Sequence, residues 1–92
     1  MNIEFDATKN ERNIQERGLS FERVVDFDFE TAIVQQDVRK PYPEPRIIAL
    51  GFLDARLHVL CFTPVVGGIR VISFRKANRR EMKDYEQTST HD

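Results

Sequence analysis

The sequence predicts an α+β domain in which two N-terminal helices pack on a three- to four-stranded antiparallel sheet, followed by a short C-terminal helix. Three observations support this class: helix caps occur twice in the first third, three apolar segments follow closely in the second half, and a third cap precedes the C-terminal segment. With 92 residues, 40% hydrophobic and 32% charged, the chain is long enough for one core. We therefore expect a single domain over residues 1–87 and a disordered tail over residues 88–92.

Asp6 and Gly18 delimit the first predicted helix, which runs from residue 7 to about residue 17. Aspartate is a preferred N-cap, and glycine readily adopts the left-handed conformation that ends a helix. The apolar content is low, and Ile14 is the clearest inward position after Ala7. Two asparagines of this helix are therefore expected near buried backbone: Asn10 and Asn13.

Ser20 predicts the start of a second helix, because a serine side chain caps free N–H groups. Leu19 precedes it and is expected to pack on Val24 as a hydrophobic staple. Phe21, Val24 and Val25 recur at helical spacing. This apolar stripe indicates a face that packs on the core.

Three strands are predicted over residues 46–53, 56–63 and 69–75, which are rich in β-branched and aromatic residues. The links between them are short, with Asp54-Ala55 in the first turn and Gly67-Gly68 in the second. Such links favour an antiparallel meander. The middle strand is apolar on both faces, so it should be the most buried.

Residues 27–45 connect the helices to these strands. A short strand is expected within residues 27–37, and three prolines then favour an extended loop, because proline cannot donate to a strand ladder. These are Pro41, Pro43 and Pro45. We expect the helices to cover one sheet face and the opposite face to stay open for a ligand.

The charges are unevenly distributed, although the formal net charge is −1. Residues 1–38 hold nine acids and four bases, whereas residues 39–83 hold ten bases and three acids. A basic half of this kind favours a polyanionic partner. The alternative is that each half only solvates its own surface, and composition does not separate the two.

Several function classes lack support in the sequence. His58 and His91 have no carboxylates at metal-ligand spacing, no glycine-rich phosphate loop follows a strand, and no nucleophile–histidine arrangement is evident. His58 is expected to be structural, with a catalytic role as the lesser alternative. Cys61 is expected to be a buried thiol. No signal peptide and no run of roughly 18 apolar residues is present, so a cytoplasmic protein without cofactor is expected.

The most informative stretch runs from residue 68 to residue 85, where a predicted strand becomes a helix. Asn78 with Glu81 three residues later predicts the helix start, and Met82 with Tyr85 its inward face. Six bases against one acid surround this junction within fourteen positions. These bases are Arg70, Arg75, Lys76, Arg79, Arg80 and Lys83.

Arginines gathered in this way could stabilise the phosphorus of RNA during attack by its own 2′-hydroxyl, without a metal. Tyr85 or a lysine of lowered pKa could then transfer the proton. The alternative is a basic surface that binds nucleic acid or an acidic partner and cleaves nothing. In a regular strand Arg70 and Arg75 point to opposite faces, so a shared phosphate pocket requires a bend near residues 73–76.

The order of these segments resembles the BrnT family, toxins of bacterial type II toxin–antitoxin systems with a RelE-like ribonuclease fold. The resemblance covers residues 3–86. It is carried by an F-x-W-D-x-x-K-x-x-x-N-like start, a G-V-S-F-E-like segment, an R-x-x-x-x-G pair, and R-I-I-S-x-R-x-A followed by R-x-E-x-x-x-Y. In this sequence the motif positions are Asp6, Lys9, Asn13, residues 18–22, Arg46, Gly51, residues 70–73, residues 75–77, residues 79–81 and Tyr85.

The resemblance implies metal-independent RNA cleavage that inhibits translation. It also implies neutralisation by a BrnA-type antitoxin in a hetero-oligomer that reaches operator DNA only through the antitoxin, with no membrane partner. The family usually has tryptophan where Phe5 stands and Lys-His where Glu16-Arg17 stand. The alternative is a weak or inactive binding module that acts in operon autoregulation.

The predicted site combines both lines of argument. Its catalytic candidates are Arg70, Arg75, Arg79, Arg80 and Tyr85. Its RNA-binding candidates are Arg46, Lys76 and Lys83.

Overall fold

A computed structural model describes residues 1–89 as a five-stranded mixed sheet with helices on both faces. The elements are β1 (Asn2–Glu4), α1 (Ala7–Arg17), a 3₁₀ helix (Phe21–Asp26), β2 (Ile33–Gln36), β3 (Ile47–Leu53), β4 (Arg56–Val65), β5 (Gly68–Lys76) and α2 (Arg79–Ser89). The strand order is β1-β5-β4-β3-β2. Within the described residues no helix is long and apolar enough to cross a membrane.

The predicted meander of β3, β4 and β5 is confirmed, with antiparallel pairing throughout. Both residues of the first turn, Asp54 and Ala55, have positive φ, at 51° and 61°, which is the geometry of a tight hairpin turn. The expected early strand is β2, which pairs with β3. The sheet is larger than predicted, because β1 adds a fifth strand parallel to β5.

The second N-terminal helix is a 3₁₀ helix rather than an α-helix. Ser20 caps it as expected, accepting a hydrogen bond from the backbone N–H of Glu22 at 3.1 Å. Phe21, Val24 and Phe27 are buried at intervals of three residues, whereas Val25 is 68% exposed. A 3₁₀ helix has three residues per turn, so residues three apart lie on the same side of it. The buried positions of this segment therefore fit a 3₁₀ helix better than an α-helix.

Polar bonds rather than apolar packing attach α1 to the domain. Asp6 and Gly18 cap it as predicted, but Ile14 is 37% exposed and, within the described chain, α1 buries none of its side chains. Asn13 Nδ2 donates to the carbonyl oxygens of Leu19 and Phe74 at 2.9 and 3.0 Å. Asn10 Oδ1 accepts from the backbone N–H of Phe21 at 2.7 Å, as expected from the sequence.

Two apolar clusters lie on opposite sides of the sheet. The first lies on the face covered by the 3₁₀ helix, here called the 3₁₀ face, and includes Leu60 and Phe74 with no exposed surface. The second contains Leu57 and Val59, with Met82 of α2 packed against them. This side is called the α2 face.

The prediction of an open second face is therefore wrong. Leu57 and Val59 alternate with the residues of the 3₁₀ face along β4 and would expose apolar surface if nothing covered them. α2 covers them, and it extends to Ser89 rather than ending near residue 86. Thr88 and Ser89 of the expected tail are thus helical, while residues 90–92, including His91, lie outside the described residues.

Candidate functional site

A β-bulge determines where the arginines of β5 point. The pairing with β4 passes from Cys61↔Ser73 directly to Phe62↔Val71, which leaves Ile72 without a cross-strand partner. An extra residue of this kind reverses the alternation of faces along its strand. A bend near residues 73–76 was the condition for a shared phosphate pocket, and the structure has a bulge at Ile72 instead.

Because of this bulge, Arg70 and Arg75 lie on the same sheet face. Arg70 pairs with Thr63 and Arg75 with Val59. Thr63 and Val59 are four residues apart on β4, so both point to the α2 face, and directly paired residues share a face. The backbone positions of the two arginines are about 13 Å apart along the strand.

The guanidinium groups nevertheless contact different carboxylates. Arg70 lies 3.2 Å from Glu44 of the proline-rich loop, in an exposed pair. Arg75 forms two hydrogen bonds with Glu81 of α2, each 2.8 Å long. The Arg75 guanidinium holds the pKa of Glu81 below its usual value. The structure therefore does not gather these arginines into a common pocket.

The Arg75–Glu81 pair fixes the start of α2. Glu81 Oε1 also accepts from the backbone N–H of Asn78 at 2.9 Å, and Asn78 Oδ1 accepts from the backbone N–H of Glu81 at 2.8 Å. This reciprocal pair is the capping box that the sequence predicted. Arg75 thereby connects the end of β5 to the first turn of α2.

Replacing Glu81 with alanine should lower the free energy of unfolding by roughly 1–3 kcal/mol, through the lost cap and the unpaired Arg75. Because the pKa of Glu81 is lowered in the folded state, its charge stabilises the fold above pH 4.5 and loses this effect as pH falls below it. Urea denaturation at pH 7 and pH 3 measures both effects. Glu30→Ala, at an exposed position, is the control, and equal stability of the two variants at pH 7 would contradict the assignment.

Tyr85 anchors the middle of α2. Its hydroxyl donates to the carbonyl oxygen of Thr31 at 2.9 Å, and its ring packs edge-on against Phe52 at 5.2 Å between centroids. The groove beside α2 has a volume of about 350 Å³ and is lined by Glu81 and Asp84 together with apolar strand residues. Carboxylates at this position disfavour a phosphate.

The proline-rich loop forms a second polar region at the opposite end of the α2 face. The carboxylate of Asp37 is fully buried and receives two hydrogen bonds from the guanidinium of Arg39, at 2.9 and 2.8 Å, which hold its pKa far below the usual range. The guanidinium of Arg46 stacks on the Tyr42 ring at 3.9 Å from the centroid. An open cavity of about 530 Å³ lies against this loop.

Cations from three elements lie near the carboxyl end of β5: Arg17 of α1, Arg56 of β4 and Lys76 of β5. Lys76 pairs with His58, on the same side as Phe74 and thus on the 3₁₀ face. Arg56 Nη2 donates to the carbonyl oxygen of Ala77 at 2.8 Å, which places Arg56 beside the β5–α2 junction. A cavity of about 300 Å³ brings Arg17 at the end of α1 to Lys76 and His58.

These residues form one exposed basic region, here called the junction surface. Within residues 1–89, the side chains of Arg79 and Arg80 in the first turn of α2 make no hydrogen bond or ion pair and are exposed. Two acids near this surface are paired with other arginines, Glu81 with Arg75 and Asp54 with Arg23, each at 2.8 Å. The junction surface consists of Arg17, Arg56, Lys76, Arg79 and Arg80.

Comparison with known proteins identifies the family. Residues 5–81 match the family described as "Ribonuclease toxin, BrnT, of type II toxin-antitoxin system". The chain belongs to the BrnT family. A search of the curated proteins gives no match. The resemblance noted in the sequence is thereby confirmed.

In this BrnT-family chain the predicted site residues separate into three groups and one isolated lysine. Lys76, Arg79 and Arg80 contribute to the junction surface, and Arg46 and Arg70 lie at the loop end of the α2 face. Arg75 and Tyr85 hold α2 in place, and Lys83 is exposed on α2. Sequence reasoning missed Arg17 and Arg56, because only the helix end and the strand register bring them to the junction.

Proposed function

We propose that this chain is the toxin of a type II toxin–antitoxin system and that it cleaves RNA without a metal ion, thereby inhibiting translation. The observation that carries the proposal is the BrnT family match over residues 5–81. The junction surface supports it, because five cations are exposed there beside a buried histidine. The RNA backbone would bind to this surface.

The chemistry of RNA cleavage suits these side chains. Attack of the 2′-hydroxyl on the adjacent phosphorus increases the negative charge on the phosphate oxygens, and fixed cations stabilise that charge. Arginine stays charged at any working pH and donates two hydrogen bonds to a phosphate. Arg79 and Arg80 are the candidates for this role, because no other group within the described residues competes for them.

Arg46 and Arg70 extend the proposed RNA path. Arg70 and Lys76 lie at opposite ends of β5, about 17 Å apart along the strand. The Arg70–Glu44 pair is exposed, and a pair of this kind contributes little to stability, so a phosphate could replace the glutamate. A strand of RNA would then contact the protein at several phosphates rather than at one.

The proposal includes the RelE-like fold, a cytoplasmic location and a BrnA-type antitoxin that neutralises the toxin and alone contacts operator DNA. An α+β domain with a mixed sheet and a terminal helix is consistent with that fold. The second candidate function is a binding module with weak or no cleavage. It is favoured by the internal contacts of Arg75 and Tyr85, two of the five catalytic candidates.

Induced expression with and without an antitoxin encoded beside the gene tests the proposal. The chain alone should arrest growth, the antitoxin should restore it, and purified protein should cleave RNA in the presence of EDTA. Binding of RNA without cleavage would favour the binding module. Cleavage that EDTA abolishes would contradict the metal-independent mechanism.

A further inference from the structure

A small cavity at the junction surface contains a buried titratable group that the proposed function does not yet use. It lies between the end of α1 and the end of β5, has a volume of about 300 Å³, and is lined by Arg17, Gly18, Leu19, His58 and Lys76. The His58 side chain is almost fully buried, with the residue 3% exposed. Two cations and an imidazole therefore line one partly open cavity.

The hydrogen bonds of His58 assign its tautomer. Nδ1 lies 2.8 Å from the carbonyl oxygen of Arg56, and a carbonyl oxygen only accepts, so Nδ1 carries the proton. Nε2 then has a free lone pair, and it makes no hydrogen bond within residues 1–89. In the same part of the chain no fully buried side-chain nitrogen or oxygen lacks a partner. Nε2 is therefore accessible at the surface, and because His58 lines the cavity, Nε2 faces that cavity.

The surroundings keep this imidazole neutral. Burial is the main cause that lowers the pKa of His58 below its ordinary value of 6.5, and the nearby charges of Arg56 and Lys76 lower the pKa further. The hydrogen bond to the Arg56 carbonyl and, more weakly, the charge of Asp54 raise the pKa of His58, but burial outweighs them and the pKa stays lowered. At neutral pH the ring is thus a proton acceptor placed among cations.

We propose that this cavity binds one phosphate of the RNA between Arg17 and Lys76, and that Nε2 of His58 takes the proton from the adjacent 2′-hydroxyl. The inference rests on the proposed function and names the residue that starts the reaction. It does not require Tyr85, whose hydroxyl is already bonded to Thr31.

The step is balanced in atoms and charge. The proton of the 2′-hydroxyl moves to Nε2, the 2′-oxygen forms a bond to phosphorus, and the bond from phosphorus to the 5′-oxygen breaks. The leaving oxygen takes a proton from the ammonium of Lys76. The products are a 2′,3′-cyclic phosphate and a 5′-hydroxyl, and exchange with water restores His58 and Lys76.

The activity test uses His58→Asn, whose amide can still donate to the carbonyl of Arg56 but has no counterpart of Nε2. We expect kcat for RNA cleavage to fall about 10²–10⁴-fold with little change in KM. Wild-type kcat/KM should fall as the pH drops through the pKa of His58, since the base must be neutral, and the variant should lose this acid limb. Arg12→Ala, an exposed arginine of α1 outside the cavity, is the control and should behave as wild type.

The binding test does not depend on cleavage. Uridine 3′-monophosphate is titrated into the wild-type protein while the ring signals of His58 are followed by NMR. A bound phosphate should raise the pKa of His58, and Arg17→Ala or Lys76→Ala should weaken binding about tenfold or more, unlike Arg12→Ala.

The two tests distinguish failure of this inference from failure of the proposed function. Full activity in a folded His58→Asn variant would overturn the role of His58 as proton acceptor. The proposed function, RNA cleavage by this chain, would remain supported. If the wild-type protein cleaves no RNA, the proposed function fails and the proton-acceptor role fails with it. An unchanged His58 signal at saturating nucleotide would overturn the phosphate site whatever the activity.

Discussion

Replacing Phe74 with alanine should lower the free energy of unfolding by about 3–5 kcal/mol. The Phe74 side chain has no exposed surface and lies in the main cluster on the 3₁₀ face. Its ring packs edge-on against Phe27 at 6.0 Å and against His58 at 5.4 Å between centroids. A domain of this size has a total stability of about 5–14 kcal/mol, so the variant should be close to unfolding at 37 °C.

Urea denaturation of two matched variants tests this expectation. Phe74→Leu keeps an apolar group in the same place and should cost less than about 1.5 kcal/mol if the core repacks. Phe52→Ala removes a ring of the same size from a half-buried position in the second cluster and should cost less than Phe74→Ala. Equal losses in Phe74→Ala and Phe52→Ala would contradict the view that the 3₁₀ face is the principal core.

Replacing Arg79 or Arg80 with alanine should reduce RNA cleavage about 10²-fold each without loss of stability. A fixed cation that stabilises the transition state contributes on this scale. Both side chains are exposed in the first turn of α2, where a positive charge opposes the helix dipole. Removing either charge should therefore raise the free energy of unfolding by a few tenths of a kcal/mol.

Single-turnover kinetics, thermal denaturation and salt titration of RNA binding together check this result. Arg12→Ala removes an exposed arginine from α1 and is the matched control for net charge. Loss of a phosphate contact should reduce the salt dependence of binding by about one counterion. Wild-type cleavage by the Arg79→Ala and Arg80→Ala variants would remove these residues from the site, and a large fall in stability would assign them a structural role.

The local elements could be predicted because their signals are local. Asp6, Gly18, Ser20 and the Asn78–Glu81 pair each cap a helix by contacts within a few residues. The hairpin turns were equally evident from the short links between the strands, and Gly67 tolerates the positive φ of the second turn. These features depend on neighbours in sequence, which the sequence shows directly.

The tertiary arrangement could not be predicted in the same way. The bulge at Ile72 depends on the register between β4 and β5, and no residue type there indicates an extra residue. The parallel pairing of β1 is a contact across more than sixty positions of the chain. The position of α2 on the second face follows from the need to cover Leu57 and Val59, a need that the two-sided apolar pattern of β4 already implied.

The candidate site also divides into local features, which could be predicted, and tertiary contacts, which could not. The six bases between residues 70 and 83 were found by composition, but their partners were not, and two of them proved to contact Glu44 and Glu81. Arg17 and Arg56 could be assigned to the candidate site only from the structure, which places them near the β5–α2 junction. His58 was assigned a structural role, and the face to which it points depends on the pairing of His58 with Lys76.

The attachment of α1 through two carboxamide side chains has a consequence for access to the cavity beside His58. A helix without a fully buried side chain separates from its neighbours at low free-energy cost, whereas β4 and β5, which carry buried core residues, separate at a much higher cost. The wall formed by Arg17 and Gly18 is thus the movable side of the cavity, and the histidine on β4 is the fixed side. Substrate entry by displacement of α1 would leave the reacting group in place.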